Sequence, residues 1–119
     1  MVDYPQDARW GRVMETCGEE PLINGIMGAA QVRAFHGDGL KNHDTLATCV
    51  KHFAGYGGAE AGRDYNLVEL SMRELREYYL PAYKACIDAG VKMLMPSFNT
   101  LNGVPSTANK WLMQNVLKD

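Results

Sequence analysis

The segment that decides the fold is Cys49-Val50-Lys51-His52-Phe53-Ala54-Gly55-Tyr56-Gly57-Gly58. The apolar residues 46–50 that lead into it predict a buried strand, and the glycine cluster predicts where that strand ends. Because ligands bind at the carboxyl ends of strands in a parallel α/β sheet, Lys51 and His52 stand where a binding site is expected. On spacing alone, a solvated lysine beside a capped histidine explains the pair equally well.

The composition is typical of a folded domain that has neither nucleic acid nor a membrane as its partner. Of the 119 residues, 46% are hydrophobic and 22% are charged. The formal net charge of -2 provides no positive surface for nucleic acid, and no apolar run approaches the roughly 20 residues that cross a bilayer. The start, Met1-Val2-Asp3-Tyr4, lacks the charged and apolar regions of a signal peptide, which predicts a cytoplasmic location.

The first predicted helix begins at Pro21, because a proline in the first turn loses no helical hydrogen bond, and it ends at Gly37. We predict that an apolar stripe at helical spacing forms its core-facing side, comprising Leu22, Ile23, Ile26, Met27, Ala30, Ala34 and Phe35. His36 and His43 are predicted to lie at the surface, since no third metal ligand stands at a recognised spacing. The sequence therefore indicates neither a metal nor a cofactor.

The second predicted helix begins at the capping box Ser71-Met72-Arg73-Glu74 and is bent by Pro81. Residues 91–95 predict a second buried strand, residues 103–106 a turn, and residues 108–118 a last helix. This alternation of helices and strands predicts an α/β fold with a short parallel sheet, flanking helices and right-handed crossovers.

Two arginines flank Trp10 in the first 20 residues, which have the composition of a loop. Arg9 and Arg12 are suited to hold anionic or hydroxyl-rich ligands. The alternative is that they form structural ion pairs with one of the acidic residues that follow, Glu15, Glu19 or Glu20. The pattern leaves both interpretations open.

Five motifs occur in succession along nearly the whole chain: Asp7-Ala8-Arg9-Trp10-Gly11-Arg12-Val13-Met14-Glu15, Glu20-Pro21, Lys51-His52-Phe53-Ala54-Gly55, Met95-Pro96-Ser97-Phe98-Asn99 and Asn102-Gly103-Val104-Pro105. Together they resemble the family 3 glycoside hydrolases, with Ala8 where that family usually has proline and Phe98 where it often has tyrosine. The resemblance implies that residues 1–119 are a partial N-terminal barrel domain, less than half of a (β/α)8 TIM-type barrel. It further implies a retaining β-glycosidase, most often a β-glucosidase or a β-xylosidase.

The same resemblance assigns roles to individual residues. It implies that Arg12, Lys51 and His52 bind the hydroxyls of a nonreducing-end β-D-glucosyl or related residue in the −1 subsite. Glu15 and Phe98 are implied as residues that support this binding group. Adjacent strand residues normally point to opposite faces, whereas Lys51 and His52 are both expected to reach the sugar. We therefore predict a bulge or a cis peptide bond in residues 51–54.

The resemblance also implies that the two catalytic carboxyl groups lie outside these 119 residues. We therefore expect the isolated chain to be inactive and its partners to be a β-glucoside or related oligosaccharide and the rest of a glycosidase chain. The two predicted strands lack neighbours that a complete barrel would supply, so we also expect the isolated chain to self-associate. The alternative that remains open is a non-catalytic α/β module that binds carbohydrate or another protein.

Overall fold

A computed structural model describes residues 1–118 of the chain. The α-helices are α1 (Pro21–His36), α2 (Met72–Glu74) and α3 (Pro81–Asp88). The strands are β1 (Cys49–Phe53), β2 (Met93–Pro96), β3 (Thr100–Leu101) and β4 (Val104–Pro105). Two π-helical segments occur at Leu75–Tyr79, between α2 and α3, and at Trp111–Val116, within the predicted last helix.

Strands β1 and β2 form a short parallel sheet, which confirms the predicted α/β architecture. Cys49 pairs with Met93 and Lys51 with Met95, and the helical stretch from α2 to α3 makes the crossover between the two strands. A separate antiparallel pair, β3 and β4, is joined at Asn102-Gly103. Residues in that two-residue connection have positive φ angles, as hairpin turns with Asn-Gly require.

The predicted irregularity in residues 51–54 is confirmed. The peptide bonds Lys51-His52 and Phe53-Ala54 are both cis, and the register of β1 against β2 shifts between Lys51 and Phe53. The prediction that the second strand is buried is wrong for this chain, because its side chains are exposed or half-buried; Met93 is 49% exposed.

The core-facing side of α1 is not the predicted apolar stripe. The buried residues of this helix are mostly small or polar: Asn24, Gly25, Gly28, Ala29, Val32 and His36. Leu22 and Phe35 are 66% and 51% exposed. The reason is the close approach of α3, since a Cβ atom on Gly25 would lie only 3.2 Å from the Ala85 Cβ atom. Contact at that distance selects the side of the helix that carries the smallest side chains.

One of the two histidine predictions is also wrong. His36 is buried, and its Nε2 atom accepts a hydrogen bond from the Thr48 backbone N–H at 3.2 Å and lies 2.8 Å from the Thr48 hydroxyl. These contacts fasten the end of α1 to the segment that leads into β1. His43 is exposed, as predicted.

The capping box at the start of α2 is confirmed. The Ser71 hydroxyl accepts from the Glu74 backbone N–H at 3.1 Å, and the Glu74 carboxylate accepts from the Ser71 backbone N–H at 2.9 Å. These bonds lower the pKa of Glu74. Pro81 interrupts the helix as predicted, although through a π turn, because Leu80 donates its backbone N–H to the Leu75 carbonyl oxygen.

The N-terminal residues run beside β1 and are tied to it and to the following loop. The Val2 N–H donates to the Lys51 carbonyl oxygen at 3.1 Å, and the Gln6 N–H donates to the Gly57 carbonyl oxygen at 2.9 Å. Val2 is part of the apolar core, which also contains Val32, Val50, Phe53, Val68, Leu75, Tyr79, Tyr83, Leu101 and Leu112. Asp3 is thereby placed directly against the carboxyl end of β1.

The α1–α3 contact yields a prediction about Gly28. A Cβ atom at this position would lie 2.7 Å from both the Cys86 Sγ atom and the Val2 Cγ1 atom. We expect Gly28→Ala to destabilise the protein that contains this chain by about 1–3 kcal/mol, because overpacking outweighs the roughly 1 kcal/mol that alanine gains in helix propensity. The urea midpoint of unfolding measures the effect. Gly11→Ala, with no atom within 4 Å of its Cβ position, is the control. Equal midpoints for the two variants would refute the packing argument.

Candidate functional site

The site is built around the buried side chain of His52 at the end of β1. His52 is 1% exposed, and its Nδ1 atom lies 3.0 Å from the Asp3 carboxylate. The His52 backbone N–H is 3.2 Å from both carboxylate oxygens of Asp3. Because a carboxylate only accepts, Nδ1 carries the proton towards Asp3, and Nε2 of the neutral ring is left as an acceptor.

Asp3 is itself held by Tyr83 of α3. The Tyr83 hydroxyl lies 3.0 Å from Asp3 Oδ1 and 2.6 Å from the His52 carbonyl oxygen. Burial, together with the negative charge of Asp3, raises the pKa of Tyr83, which keeps the hydroxyl protonated as a donor. The N-terminal segment, β1 and α3 therefore meet at one buried carboxylate, which orients the His52 ring.

Arg12 meets His52 from the surface side. Its Nη1 atom lies 3.3 Å from His52 Nε2, and its Nε and Nη2 atoms each lie 2.7 Å from an oxygen of Glu15. This two-bond ion pair raises the pKa of Arg12 and lowers the pKa of Glu15. The structure thus combines the two interpretations of Arg12: it pairs with Glu15 and also reaches His52. Arg9 pairs with Asp7 instead.

Lys51 is half-buried at the end of β1, next to this group. Its positive charge adds to the lowering of the Glu15 pKa, after the larger effect of Arg12. The Lys51 ammonium group forms no hydrogen bond or ion pair with any residue in the described range 1–118. Its three donors are therefore available to a ligand.

Aromatic rings surround His52 on its remaining side. Tyr56 is fully buried and meets His52 and Trp10 edge to face, with ring centroids 5.0 and 5.1 Å apart. The Arg12 guanidinium lies 5.6 Å from the Tyr56 ring centroid. Phe98 is 56% exposed, and its ring lies 5.4 Å from His52. The site therefore has a buried aromatic base and an exposed ring at its edge.

The Tyr56 hydroxyl is buried and forms no hydrogen bond within the described part of the chain. Desolvation and the nearby Asp64 carboxylate raise the pKa of Tyr56, while the neighbouring Arg12 guanidinium opposes this effect. The same carboxylate accepts a hydrogen bond from Trp10 Nε1 at 3.2 Å. Asp64 thus anchors Trp10 beneath the aromatic cluster.

Sequence reasoning missed Asp3, Tyr83 and Tyr56. The partners of Asp3 lie 49 and 80 positions away along the chain, so no local motif connects them. For Asp3, the only local signal was an acidic residue that follows Val2, which is too weak to identify it as functional. The structure brings together the residues that the motifs indicated. Arg12 contacts both Glu15 and His52, Phe98 lies against His52, and Lys51 is at the edge of the group.

A depression of about 420 Å³ lies elsewhere, lined by Gln6, Asp7, Gly58, Ala59, Glu60, Ala61, Leu67 and Glu69. In residues 1–118, no cluster of three or more His, Cys, Asp or Glu side chains is arranged to hold a metal ion. Over the same residues, no helix is long and apolar enough to cross a membrane.

Comparison with known proteins decides which family has this arrangement. Residues 1–119 match the sequence profile of the glycosyl hydrolase family 3 N-terminal domain. The chain belongs to glycosyl hydrolase family 3. A crystal structure of β-glucosidase from Listeria innocua in complex with glucose superposes on this family 3 chain with a TM-score of 0.96 and 51% sequence identity. The match covers 99% of this chain and 17% of that one.

Two curated relatives extend the comparison. Periplasmic β-glucosidase from Salmonella typhimurium is 44% identical over 119 residues, and β-xylosidase from Formosa agariphila is 40% identical over 120 residues. The alignments cover 100% and 98% of this chain, and the chain spans 16% of the length of each relative. The N-terminal domain of the structural neighbours is a TIM barrel, so this chain forms part of a (β/α)8 barrel, as the motifs implied.

The prediction of a cytoplasmic location is wrong. It is contradicted by the Salmonella typhimurium relative, which is named as a periplasmic enzyme. The reasoning failed because the residues at the start of a chain that spans 16% of its relative carry no information about a leader segment.

The lowered pKa of Glu15 leads to a prediction about acid stability. A carboxylate whose pKa falls on folding contributes stability above its ordinary value of 4.5, and the contribution is lost as the pH falls through the lowered value. The pair is partly exposed, so we expect Glu15→Gln to cost at most about 1 kcal/mol at neutral pH. We expect this difference from wild type to shrink towards pH ~3. Urea midpoints at the two pH values measure it. A difference independent of pH would contradict the role of the ion pair.

Proposed function

We propose that this chain is part of the N-terminal barrel domain of a retaining β-glycosidase and binds the nonreducing-end sugar in the −1 subsite. The observation that carries the proposal is the group of polar and charged side chains at the end of β1. Arg12 Nη1 lies 3.3 Å from His52 Nε2. Lys51, whose ammonium group has no partner in residues 1–118, is near enough to act electrostatically on Glu15. In a (β/α)8 barrel, the carboxyl ends of the strands are the face that binds substrate.

The chemistry of these residues suits a polyhydroxylated ligand. Each sugar hydroxyl is both donor and acceptor, and hydrogen bonds to charged groups contribute about 1.5–3 kcal/mol, against about 1 kcal/mol for neutral pairs. Glu15 and Asp3 hold Arg12 and His52 before a ligand arrives. This preorganisation lowers the entropic cost of binding, because those side chains are already ordered.

The relatives support a β-linked glucosyl or xylosyl substrate. The Listeria innocua β-glucosidase has been crystallised with glucose, and a mutant of it with laminaribiose. The β-xylosidase from Formosa agariphila is 40% identical in sequence to this chain. We propose that the substrate of this protein is a β-glucoside or related oligosaccharide.

We further propose that neither Asp3 nor Glu15 is the nucleophile. A retaining glycosidase needs two carboxyl groups about 5–5.5 Å apart across the scissile bond. Asp3 is 2% exposed and engaged with His52, and Glu15 is engaged with Arg12 in both of its oxygens. In this proposal the catalytic carboxyl groups come from the rest of the glycosidase chain, and the isolated chain does not hydrolyse glycosides.

Lys51→Met tests the assignment in the complete glycosidase, since it removes the charge and keeps the length of the side chain. We expect kcat/KM for an aryl β-glucoside to fall about 10- to 100-fold and the inhibition constant of glucose to rise, because donors to the sugar are lost. Lys84→Met on the exposed side of α3 is the matched control. If both variants behave alike, Lys51 does not bind the sugar.

The retaining mechanism has its own test in the same assay. NMR identifies the anomer of the sugar that forms first, and the β anomer is expected.

Self-association of the isolated chain is the second part of the proposal. Helix α1 exposes five large apolar side chains: Leu22, Ile23, Ile26, Met27 and Phe35. We expect light scattering to give a mass above the monomer, with a specific interface burying about 1,000 Å² or more. The double variant Leu22→Glu and Ile26→Glu should reduce that mass. A monomeric wild-type chain at micromolar concentration would refute self-association. Turnover by the isolated chain above that of its Lys51→Met variant would refute the proposed inactivity.

A further inference from the structure

We propose that the outward face of α1 and α3 is a dimer interface, and that its partner is the same face of a second copy of the complete glycosidase. This inference goes beyond the self-association proposed for the isolated chain, because it concerns a face that stays outside a complete barrel. The face contains a largely apolar groove of about 370 Å³ between the two helices. Leu22 and Ile26 flank it on α1 and are 66% and 53% exposed.

The groove faces away from the barrel because α1 and α3 are neighbouring helices of its outer ring. Helix α1 precedes β1, α3 precedes β2, and the two strands pair directly. Val32 of α1 and Cys86 of α3 belong to the apolar core, and neither lines the groove. Further strands and helices of a barrel join at the lateral edges of this pair, so they leave the outward groove uncovered.

The directions of the two helices decide how a second copy fits. Gly25 lies against Ala85, and Gly28 lies against Cys86, so α1 and α3 run in the same direction. A two-fold axis parallel to the groove therefore places α1 of each copy over α3 of the other, at the same level along both helices. Closed two-fold dimers of this kind are the commonest form of oligomer.

This arrangement makes the face complementary to itself in size. The large side chains of Leu22 and Ile26 come from α1, whereas α3 lines the groove with Pro81 and Ala85, which are smaller and half-buried. Under the two-fold axis, the large side chains of one copy meet the small ones of the other. Contact of this kind fills the groove without leaving voids, as close packing requires.

Arg33 and Asp88 add complementary charges at one end of the groove. Both line it near the carboxyl-terminal ends of their helices, and both are exposed. They do not pair within one copy: the Arg33 guanidinium forms no hydrogen bond or ion pair in residues 1–118, and Asp88 pairs with Lys84 at 2.7 Å. The two-fold arrangement sets Arg33 of each copy opposite Asp88 of the other. Complementarity in both size and charge favours a second copy over an unrelated partner.

The area of the face is sufficient for a specific but modest interface. Helix α1 has 16 residues and is therefore about 24 Å long, and two packed helices span about 20 Å, which gives on the order of 500 Å² per copy. Two copies would bury about 1,000 Å², close to the lower limit for a specific interface. The dimer is therefore expected to dissociate on dilution.

Charge reversal in the complete glycosidase tests the inference, with sedimentation velocity as the measurement. We expect a wild-type dimer at micromolar concentration. Arg33→Glu and Asp88→Arg each bring like charges together at the rim, so each should raise the dimer dissociation constant about 10-fold. The double variant exchanges the signs of both partners and should restore the wild-type constant within about twofold. A single variant that had simply misfolded would not be rescued in this way.

Arg73→Glu is the matched control, since Arg73 is exposed, pairs with Glu77 and lies outside the groove. It should leave the dissociation constant unchanged. A complete protein that is monomeric overturns the inference. The same holds for a dimer that the single reversals do not weaken, or that the double variant does not restore.

This test and the test of the isolated chain fail separately. If the isolated chain self-associates and the complete protein is a monomer, the proposed self-association stands and the dimer interface fails. If the isolated chain is a monomer and the complete protein shows the rescue, the proposed self-association fails and the dimer interface stands.

Discussion

The hydrogen bonds of the buried Asp3 carboxylate are the interaction on which the rest of the structure depends. A carboxylate withdrawn from water costs several kcal/mol unless its oxygens are paired, and those of Asp3 are paired with His52 and Tyr83. These partners stand on β1 and α3, so the N-terminal segment, the strand and the helix are joined at one point. Removing any partner would leave a buried polar group unsatisfied, which makes the arrangement cooperative.

This junction also organises the surface above it. The proton on His52 Nδ1 is directed to Asp3, so Nε2 becomes the acceptor that faces Arg12. Glu15 holds the other side of the guanidinium, and Tyr56 underlies it. Within residues 1–118, Arg12 and Glu15 pair with each other and the Lys51 ammonium group has no partner. In the proposed function, the hydroxyl groups of a sugar bind these remaining donors. The proposed sugar site rests on both features, the fixed base beneath Arg12 and the donors of Lys51.

The packing of α1 shows how membership of a larger barrel affects a chain of this length. Its small residues contact α3, and its large apolar residues, Leu22 and Phe35 among them, are exposed. A helix that is apolar on the side away from its immediate neighbour is typical of one with a second neighbour. This agrees with a chain that spans 16% of its curated relatives.

Local sequence by itself determined where two helices begin: Pro21 acts through its missing N–H, and the capping box at Ser71 acts through bonds between residues three positions apart. The turn predicted at residues 103–106 is displaced, because the chain turns at Asn102-Gly103 and Val104–Pro105 forms β4. The motifs at Arg12 and Lys51-His52 also indicated the family and the side chains that meet at the end of β1, because residue identity in them reflects chemistry. Tertiary structure alone decided which side of α1 is buried, that His36 is buried, and that Asp3 supports His52. Those outcomes depend on steric contacts and hydrogen bonds between residues 12 to 80 positions apart, which no local pattern contains.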